Sequence, residues 1–255
     1  MILHLHRVTK AFGGLVAVRD VTFAVAPGQI AGLIGPNGAG KTTLFNCING
    51  VVPITAGRVE LDGRAISGLP PHAVARLGLA RTHQIVRPLK ELTVRENTIA
   101  GACFGRERHG LKAAARLADE ALERLELSSL AAVPAGNLTI AMKKRLELAR
   151  ALAAQPRLLL LDEVLAGLNA TEVGQMVRTI RSIRESGVTI VMIEHIMHAV
   201  MALSDRVLVI DRGTLIADGE PKAVARDPAV IAAYLGKPSE PADADQDGVS
   251  PEAPR

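Results

Sequence analysis

The sequence has few cysteines and no long apolar run, and each absence excludes a class of protein. Cys47 and Cys103 are the only cysteines among 255 residues, so the chain has neither a disulfide framework nor a cysteine-rich metal site. No stretch approaches the about 18 uninterrupted apolar residues of a membrane-spanning helix. The opening residues MILHLHRVTK lack the charged start and apolar stretch of a signal peptide. We therefore expect a protein of the reducing cytoplasm.

Aromatic residues are also scarce, with no tryptophan, one tyrosine and four phenylalanines. A protein that stacks successive bases of a nucleic acid therefore has little to stack them on. Phe12 follows the predicted strand 2–8 and lies on a predicted loop. There it can stack on a nucleotide base or pack in the core, and the sequence leaves both open.

The net charge is +4, and it is unevenly distributed along the chain. Residues 238–255 carry five acids and one base, which leaves the rest of the chain at +8. The composition of this tail, rich in Pro, Ala, Asp and Ser, predicts disorder. A basic body suits phosphate ligands, a membrane surface or nucleic acid alike, and ordinary solvated Lys and Arg side chains are the simplest explanation of the charge.

One stretch does carry specific chemistry: GPNGAGKTT, which fits the phosphate-binding pattern G-x-x-x-x-G-K-[ST]. Its glycines let successive N–H groups point at one anion, at the N-terminus of the following helix. Lys41 would neutralise the β- and γ-phosphates, and the Thr42 hydroxyl would bind Mg²⁺. The apolar run 30–34 predicts the buried strand that must precede such a loop. The predicted nucleotide-binding residues are Gly35, Pro36, Asn37, Gly38, Ala39, Gly40, Lys41, Thr42 and Thr43.

Two further apolar runs end in polar side chains. The pair Asp162-Glu163 follows the run 158–161, and His195 follows the run 188–193. In an open parallel sheet, ligands bind outside the carboxyl ends of the strands. We therefore expect the carboxylates, the imidazole and the glycine-rich loop to meet at one edge of a sheet.

These patterns predict an α/β fold with a P-loop NTPase core and a mostly parallel sheet. Strands at 2–8 and 18–25 predict an N-terminal antiparallel β-subdomain. An Ala-rich stretch with Arg, Glu and Leu at helical spacing predicts a helical subdomain inserted at about 88–155. A short strand at 78–84 ends in Gln84, a candidate for reaching a metal ion or water.

Two closely spaced histidine pairs are candidates for a metal site: His195 with His198, and His4 with His6. Neither pair shows the additional Cys, His or acidic partners that zinc requires, so we expect no structural zinc.

The order of these motifs resembles the ATP-binding subunit of an ABC transporter, and more narrowly that of a branched-chain amino acid importer. The resemblance covers residues 2–236 and implies one ABC nucleotide-binding domain at 1–237, with ATP and Mg²⁺ as cofactors. The narrower resemblance rests on GLARTHQ (78–84), ELTVRENT (91–98), EHIMHAVM (194–201) and DPAVIAAYLG (227–236).

The resemblance also implies a role for each site residue. Phe12 would stack on adenine with Val18 beneath the ring. Asp162 would bind Mg²⁺ through water, and Glu163 would polarise the attacking water.

The resemblance implies roles in ATP hydrolysis for three more residues, His195, Gln84 and Lys41. His195 would hold that water and the γ-phosphate. Gln84 would sense the γ-phosphate and the transport subunit and lie close to the metal, while Lys41 would act on the phosphates.

The chain departs from the family in its signature, usually close to LSGGQ or LSYGQ. The corresponding residues here are Leu138, Thr139, Ile140, Ala141 and Met142. A Cβ at Ala141 obstructs the helix N-terminus that approaches the γ-phosphate of the opposite subunit, and Met142 removes an amide. In this family each hydrolytic site pairs the phosphate loop of one subunit with the signature of the other. We therefore expect an asymmetric heterodimer, in which the loop of this chain works with an intact partner signature and the opposite site is weak. His83 and Val164 replace the usual phenylalanine and proline.

The expected partners are a second ATP-binding subunit, transmembrane permease subunits and, indirectly, a solute-binding protein, at the cytoplasmic face of the membrane. The cargo is not encoded here: branched-chain amino acids, amides, urea and aromatic acids all fit the resemblance. A nucleic-acid ATPase is a second class, which the absence of a long heptad arm and of a basic run disfavours. A regulatory subunit without turnover is a third, and Glu163 argues against it.

Overall fold

The computed structural model describes residues 1–84, 86–107 and 109–235. The predicted acidic tail at 238–255, and the predicted domain end at residue 237, lie outside these residues. Ten strands form two sheets. In chain order they are β1 (Leu3–Phe12), β2 (Leu15–Val25), β3 (Ile30–Ile34), β4 (Ala56–Leu61), β5 (Arg64–Ala65), β6 (Leu79–Arg81), β7 (Leu158–Asp162), β8 (Thr189–Ile193), β9 (Arg206–Asp211) and β10 (Thr214–Gly219).

The N-terminal sheet is antiparallel, with the order β2-β1-β4-β5. Its first strand runs on to Phe12, which pairs with Leu15, so the prediction of Phe12 on a loop is wrong. Register shifts between Leu5 and Ala11 interrupt the strict in-out alternation, which hides the second half of the strand from a period-two pattern. The predicted Asp62-Gly63 turn joins β4 to β5, with both residues at positive φ (51° and 73°).

The second sheet has six strands in the order β10-β9-β3-β8-β7-β6. All its pairs are parallel except β9 with β10. The three strands predicted to end in the loop, the histidine and the carboxylates are therefore consecutive neighbours, β3, β8 and β7. The segment that follows β6 leads to Gln84 beside β7. This order brings the loop, the carboxylates and the histidine to one edge of the sheet, as expected from the sequence, and it adds Gln84 to them.

Helices cover the six-stranded sheet. In chain order they are α1 (Lys41–Ile48), α2 (Pro71–Arg76), α3 (Val94–Phe104), α4 (Leu111–Arg124), α5 (Ile140–Ala153), α6 (Ala170–Glu185), α7 (Met197–Leu203), α8 (Pro221–Val224) and α9 (Pro228–Leu235). Three of them, α3, α4 and α5, lie in the region 88–155 and contact one another. Capping boxes start α3 at Thr93 with Glu96 and α6 at Asn169 with Glu172, which satisfies backbone N–H groups at both helix starts.

Apolar side chains fill both faces of the six-stranded sheet. On one face, Leu33 and Leu160 belong to the same buried cluster as Leu5 of the antiparallel sheet. On the other, Leu159 and Leu161 belong to a cluster with residues of the helices. Because the sheet is buried on both faces, the strands read as continuous apolar runs rather than alternating ones. Within the described ranges, none of the helices combines the length and apolarity needed to cross a membrane.

Candidate functional site

The glycine-rich loop between β3 and α1 depends on glycine at two positions. Gly35 has φ 150°, and a Cβ there would lie 1.9 Å from the carbonyl oxygen of Ile210. Gly40 has φ 102°, and its Cβ would lie 2.4 Å from the carbonyl oxygen of Ala17. A side chain at either position would push the loop away from the strands that support it.

Lys41 is the first residue of α1 and folds back over the loop. Its Nζ donates hydrogen bonds to the carbonyl oxygens of Gly35 (2.7 Å) and Pro36 (2.9 Å). Burial lowers the pKa of this amine, and the nearby carboxylates of Glu163 and Asp162 oppose that shift. The positive charge is therefore held at the centre of the loop, where an anion would bind.

Asp162, at the end of β7, is the most deeply buried charge of the site, with 1% of its surface exposed. Its Oδ2 accepts a hydrogen bond from Arg81 at 2.7 Å, and Arg81 also donates to Asn46 Oδ1 at 2.7 Å. The other oxygen, Oδ1, is buried and has no hydrogen-bond partner in the described part of the chain. A buried carboxylate oxygen without a hydrogen-bond donor can accept from a water molecule bound to Mg²⁺. Thr42, which is exposed in the glycine-rich motif, offers a hydroxyl group as a direct ligand of the ion.

Glu163 brings the remaining predicted catalytic side chains together. Its Oε1 lies 2.8 Å from His195 Nε2, and its Oε2 accepts a 2.7 Å hydrogen bond from Gln84 Nε2. The backbone at Glu163 has φ 51°, an unusual conformation for a residue with a side chain. Strain of this kind persists only where the surroundings enforce it, and it is often found at functional sites.

A cleft of about 390 Å³ opens above the loop. Glu163 and His195 lie on its wall, and Phe12 lies at its rim with 48% of its surface exposed. Lys10 Nζ lies 4.6 Å from the centroid of the Phe12 ring. Val18, expected beneath the base, is fully buried and does not line the cleft, whereas the exposed Leu15, which the sequence analysis did not single out, does. The loop residues that line the cleft are Asn37, Gly38, Ala39, Gly40, Lys41, Thr42 and Thr43.

Two buried carboxylates outside the predicted set hold the site's segments in place. Glu147, on α5, accepts a hydrogen bond from the backbone N–H of His83 at 2.8 Å, next to Gln84. Glu194 accepts one from the N–H of Leu165 at 2.9 Å. Burial raises the pKa of both carboxyl groups to about 7. No local sequence pattern indicates that Glu147 points inward, because its partner His83 lies 64 positions away in the chain.

Lys144 is a third buried charged residue outside the predicted set, and it also holds a segment of the site in place. Its Nζ donates to the carbonyl oxygens of Glu163 (2.9 Å) and Ala166 (2.5 Å). Burial lowers the pKa of this amine. The helix that starts with the altered signature is thereby tied directly to the backbone of Glu163.

The segment Leu138–Met142 lies at the start of α5 and does not line the cleft above the described loop. Thr139 caps the helix, with its hydroxyl accepting from the N–H of Met142 at 3.3 Å. Ile140 is 67% exposed and Met142 is 36% exposed. The segment therefore presents apolar side chains outward, where glycine and amide groups would leave backbone N–H groups accessible.

The prediction that His4 and His6 have no acidic partner is wrong. Glu60 of β4 lies beside both, and the three side chains can place their ligand atoms within 4.8 Å of one another. The partner was missed because it is supplied by strand pairing from a distant part of the chain.

Comparisons with known proteins place the chain among transporter subunits. The ABC transporter family model matches residues 18–166, and the model for the branched-chain amino acid ATP-binding cassette transporter matches residues 214–239. The chain is 41% identical to the high-affinity branched-chain amino acid transport ATP-binding protein BraF of Pseudomonas aeruginosa, over 92% of this chain and 98% of that protein. It is 40% identical to LivG of Escherichia coli K12, which carries the same description, with the same coverage.

The fold also matches that of solved ABC transporter subunits. A nucleotide-free ATP-binding cassette from an ABC transporter superposes with a TM-score of 0.85 and 31% identity, covering 92% of this chain and 99% of the other.

Proposed function

This chain belongs to the ATP-binding subunits of ABC transporters, and from that premise we propose that its ATP hydrolysis drives uptake of branched-chain or related amino acids through a membrane permease. The observation that carries the proposal is the convergence of Lys41, Glu163 and His195 on one cleft, with the buried carboxylate of Asp162 near enough to Lys41 to affect its pKa. The names of the similar proteins support the class of cargo. The site of action is the cytoplasmic face of the membrane.

Phosphoryl transfer depends mostly on positioning and charge stabilisation, and different residues of this chain supply each of these. The loop N–H groups and Lys41 bind and orient the phosphates. Glu163 accepts a hydrogen bond from the attacking water, and His195 fixes the orientation of that carboxylate. Mg²⁺, held by the Thr42 hydroxyl and through water by Asp162, would neutralise charge on the β- and γ-phosphates. Phe12 offers a ring face to the base at the cleft rim.

Reconstitution tests this function. The chain, its permease subunits and its partner ATP-binding subunit are placed in proteoliposomes with the solute-binding protein, and uptake of labelled leucine is compared with uptake of urea and of an aromatic acid. We expect ATP-dependent leucine uptake that Lys41→Ala abolishes. ATP-dependent uptake of urea or of an aromatic acid with no leucine uptake would refute the cargo class, and uptake that survives Lys41→Ala would refute the role of this site.

We further propose that the second ATP-binding subunit is a related but different chain. Ile140 and Met142 present apolar side chains where a signature must contact a γ-phosphate. The signature of this chain would therefore bind only weakly to the ATP held by the phosphate loop of the second subunit. This chain's own phosphate loop keeps every expected group. The loop of this chain would then hydrolyse ATP against an intact signature of the partner, while the opposite site would turn over slowly.

Single-site variants of the purified complex test this asymmetry. We expect Lys41→Ala to remove nearly all turnover and the matching substitution in the partner to remove much less. Equal losses from the two substitutions, or a complex that contains two copies of this chain, would rule the asymmetry out.

A groove of about 430 Å³ between the helical insertion and the core supports docking of a permease helix. Phe104, at the end of α3, is 81% exposed beside it, and Leu89 is 45% exposed. His83 also lines the groove, directly before Gln84, whose amide touches Glu163. A partner helix in this groove would therefore act on the segment that contacts the catalytic carboxylate.

Site-directed cross-linking tests the docking. In a Cys103→Ser background, we expect Phe104→Cys to cross-link to the permease, and Leu111→Cys, 76% exposed on α4, to remain unlinked. Cross-linking of equal strength at both positions would show that the groove is not the contact.

A further inference from the structure

The outer face of the antiparallel sheet carries a group of side chains that the ATPase chemistry does not use. His4 and His6 are two residues apart on β1, so they point to the same face. In the ladder between β1 and β4, His4 lies opposite Glu60, and His6 lies opposite Arg58. The two imidazoles are close, with ring centroids 3.6 Å apart. All three ligand atoms, one from each side chain, lie within 4.8 Å of one another.

The separation of His6 and Glu60 is compatible with a shared cation. His6 Nε2 lies 3.4 Å from Glu60 Oε2, which is longer than the about 2.7–3.2 Å of ordinary N–H···O hydrogen bonds. Two ligands of a tetrahedral ion with bonds of about 2.0–2.1 Å are separated by about 3.3 Å. The other oxygen of Glu60 accepts from Arg58 at 2.9 Å, which orients the carboxylate and leaves Oε2 directed at the imidazole.

We propose that His4, His6 and Glu60 bind a divalent transition-metal ion of the zinc class. Two imidazole nitrogens and one carboxylate oxygen are the donor set of zinc sites with an open fourth position. The side chains of His6 and Glu60 are 34% and 20% exposed, so water can reach that position. Bound zinc cross-links β1 to β4 and stabilises the subdomain that carries Phe12 at the end of β1. Arg58 orients the carboxylate, but its charge weakens the affinity.

Isothermal titration of the metal-stripped full chain with Zn²⁺, in excess Mg²⁺, tests the proposal. We expect one bound Zn²⁺ and a higher unfolding temperature, because an ion that binds only the folded chain stabilises it. His4→Ala, His6→Ala and the isosteric Glu60→Gln should each weaken binding by at least about tenfold, or about 1.4 kcal/mol. His72→Ala, at an exposed position on α2, is the matched control and should bind as the unchanged chain does.

The His195 and Glu163 pair offers the competing location for zinc. Loss of binding in His195→Ala, with full binding retained in His6→Ala, would place the ion in the ATP cleft and overturn the proposal. Unchanged affinity in Glu60→Gln, whose fold circular dichroism verifies, would overturn it as well.

Discussion

The buried pair of Arg81 and Asp162 offers a quantitative test of how the catalytic edge is held together. The two side chains are 6% and 2% exposed, and their charged atoms are 2.7 Å apart. Arg81→Met keeps an apolar side chain of similar length but leaves Asp162 as an uncompensated buried charge. Breaking such a pair by removing one partner costs about 3–5 kcal/mol. A domain of this size loses about 2–4 °C in Tm for each kcal/mol, so we expect a fall of about 6–20 °C.

The double variant Arg81→Met/Asp162→Asn provides the control, because it removes both charges together. We expect the free energy of unfolding, measured by urea titration, to be higher in the double variant than in Arg81→Met alone. Mg²⁺ with ATP should restore stability to Arg81→Met more than to the double variant, since the added cation acts through Asp162. The reasoning fails if Arg81→Met unfolds at the same temperature as the unchanged chain, or if the double variant is no more stable than the single one.

Three further predictions follow from the same structure. Gly35→Ala should abolish ATP binding, because its Cβ would lie 1.9 Å from a backbone oxygen, whereas Gly38→Ala, which meets nothing within 4 Å, should cost only the strain of its φ of 77°; equilibrium binding of a fluorescent ATP analogue compares the two. Burial raises the pKa of Glu147 from 4.5 to about 7, so its contribution to stability is full below about pH 4.5 and is lost as the pH rises through about 7. Glu147→Gln should therefore flatten the fall in Tm across that range, and an unchanged slope would contradict the assignment. Ala141→Gly with Met142→Gln should raise the ATP turnover that remains in complexes carrying Lys41→Ala; no gain would show that the signature does not limit the second site.

The strand ends were predictable because their signal is local. A short apolar run followed directly by Asp162-Glu163 or by His195 is visible within about ten residues, and the rule for parallel sheets then places the ends together. The glycine-rich loop is local in the same way, since its chemistry depends on a fixed spacing from Gly35 to Thr42.

The supporting contacts were not predictable, because their partners are distant in sequence. Arg81 reaches Asp162 across 81 positions, and Glu147 reaches the backbone of His83 across 64. Glu60 meets His6 across 54 positions through strand pairing. Each contact depends on how whole elements pack, which the pattern of one segment does not contain. Phe12 was misplaced for a related reason, because irregular pairing along β1 conceals the strand that ends there.

The most direct test of the account is ATP hydrolysis by the reconstituted complex with Glu163→Gln in this chain alone. The substitution keeps the shape of the side chain but removes the charge that we propose acts on the attacking water. General-base contributions are about 10²–10⁴-fold, so we predict a loss of turnover of that order, loss of solute uptake and retained ATP binding. Undiminished hydrolysis and uptake in this variant would contradict the assignment of this chain's cleft as the working ATPase site.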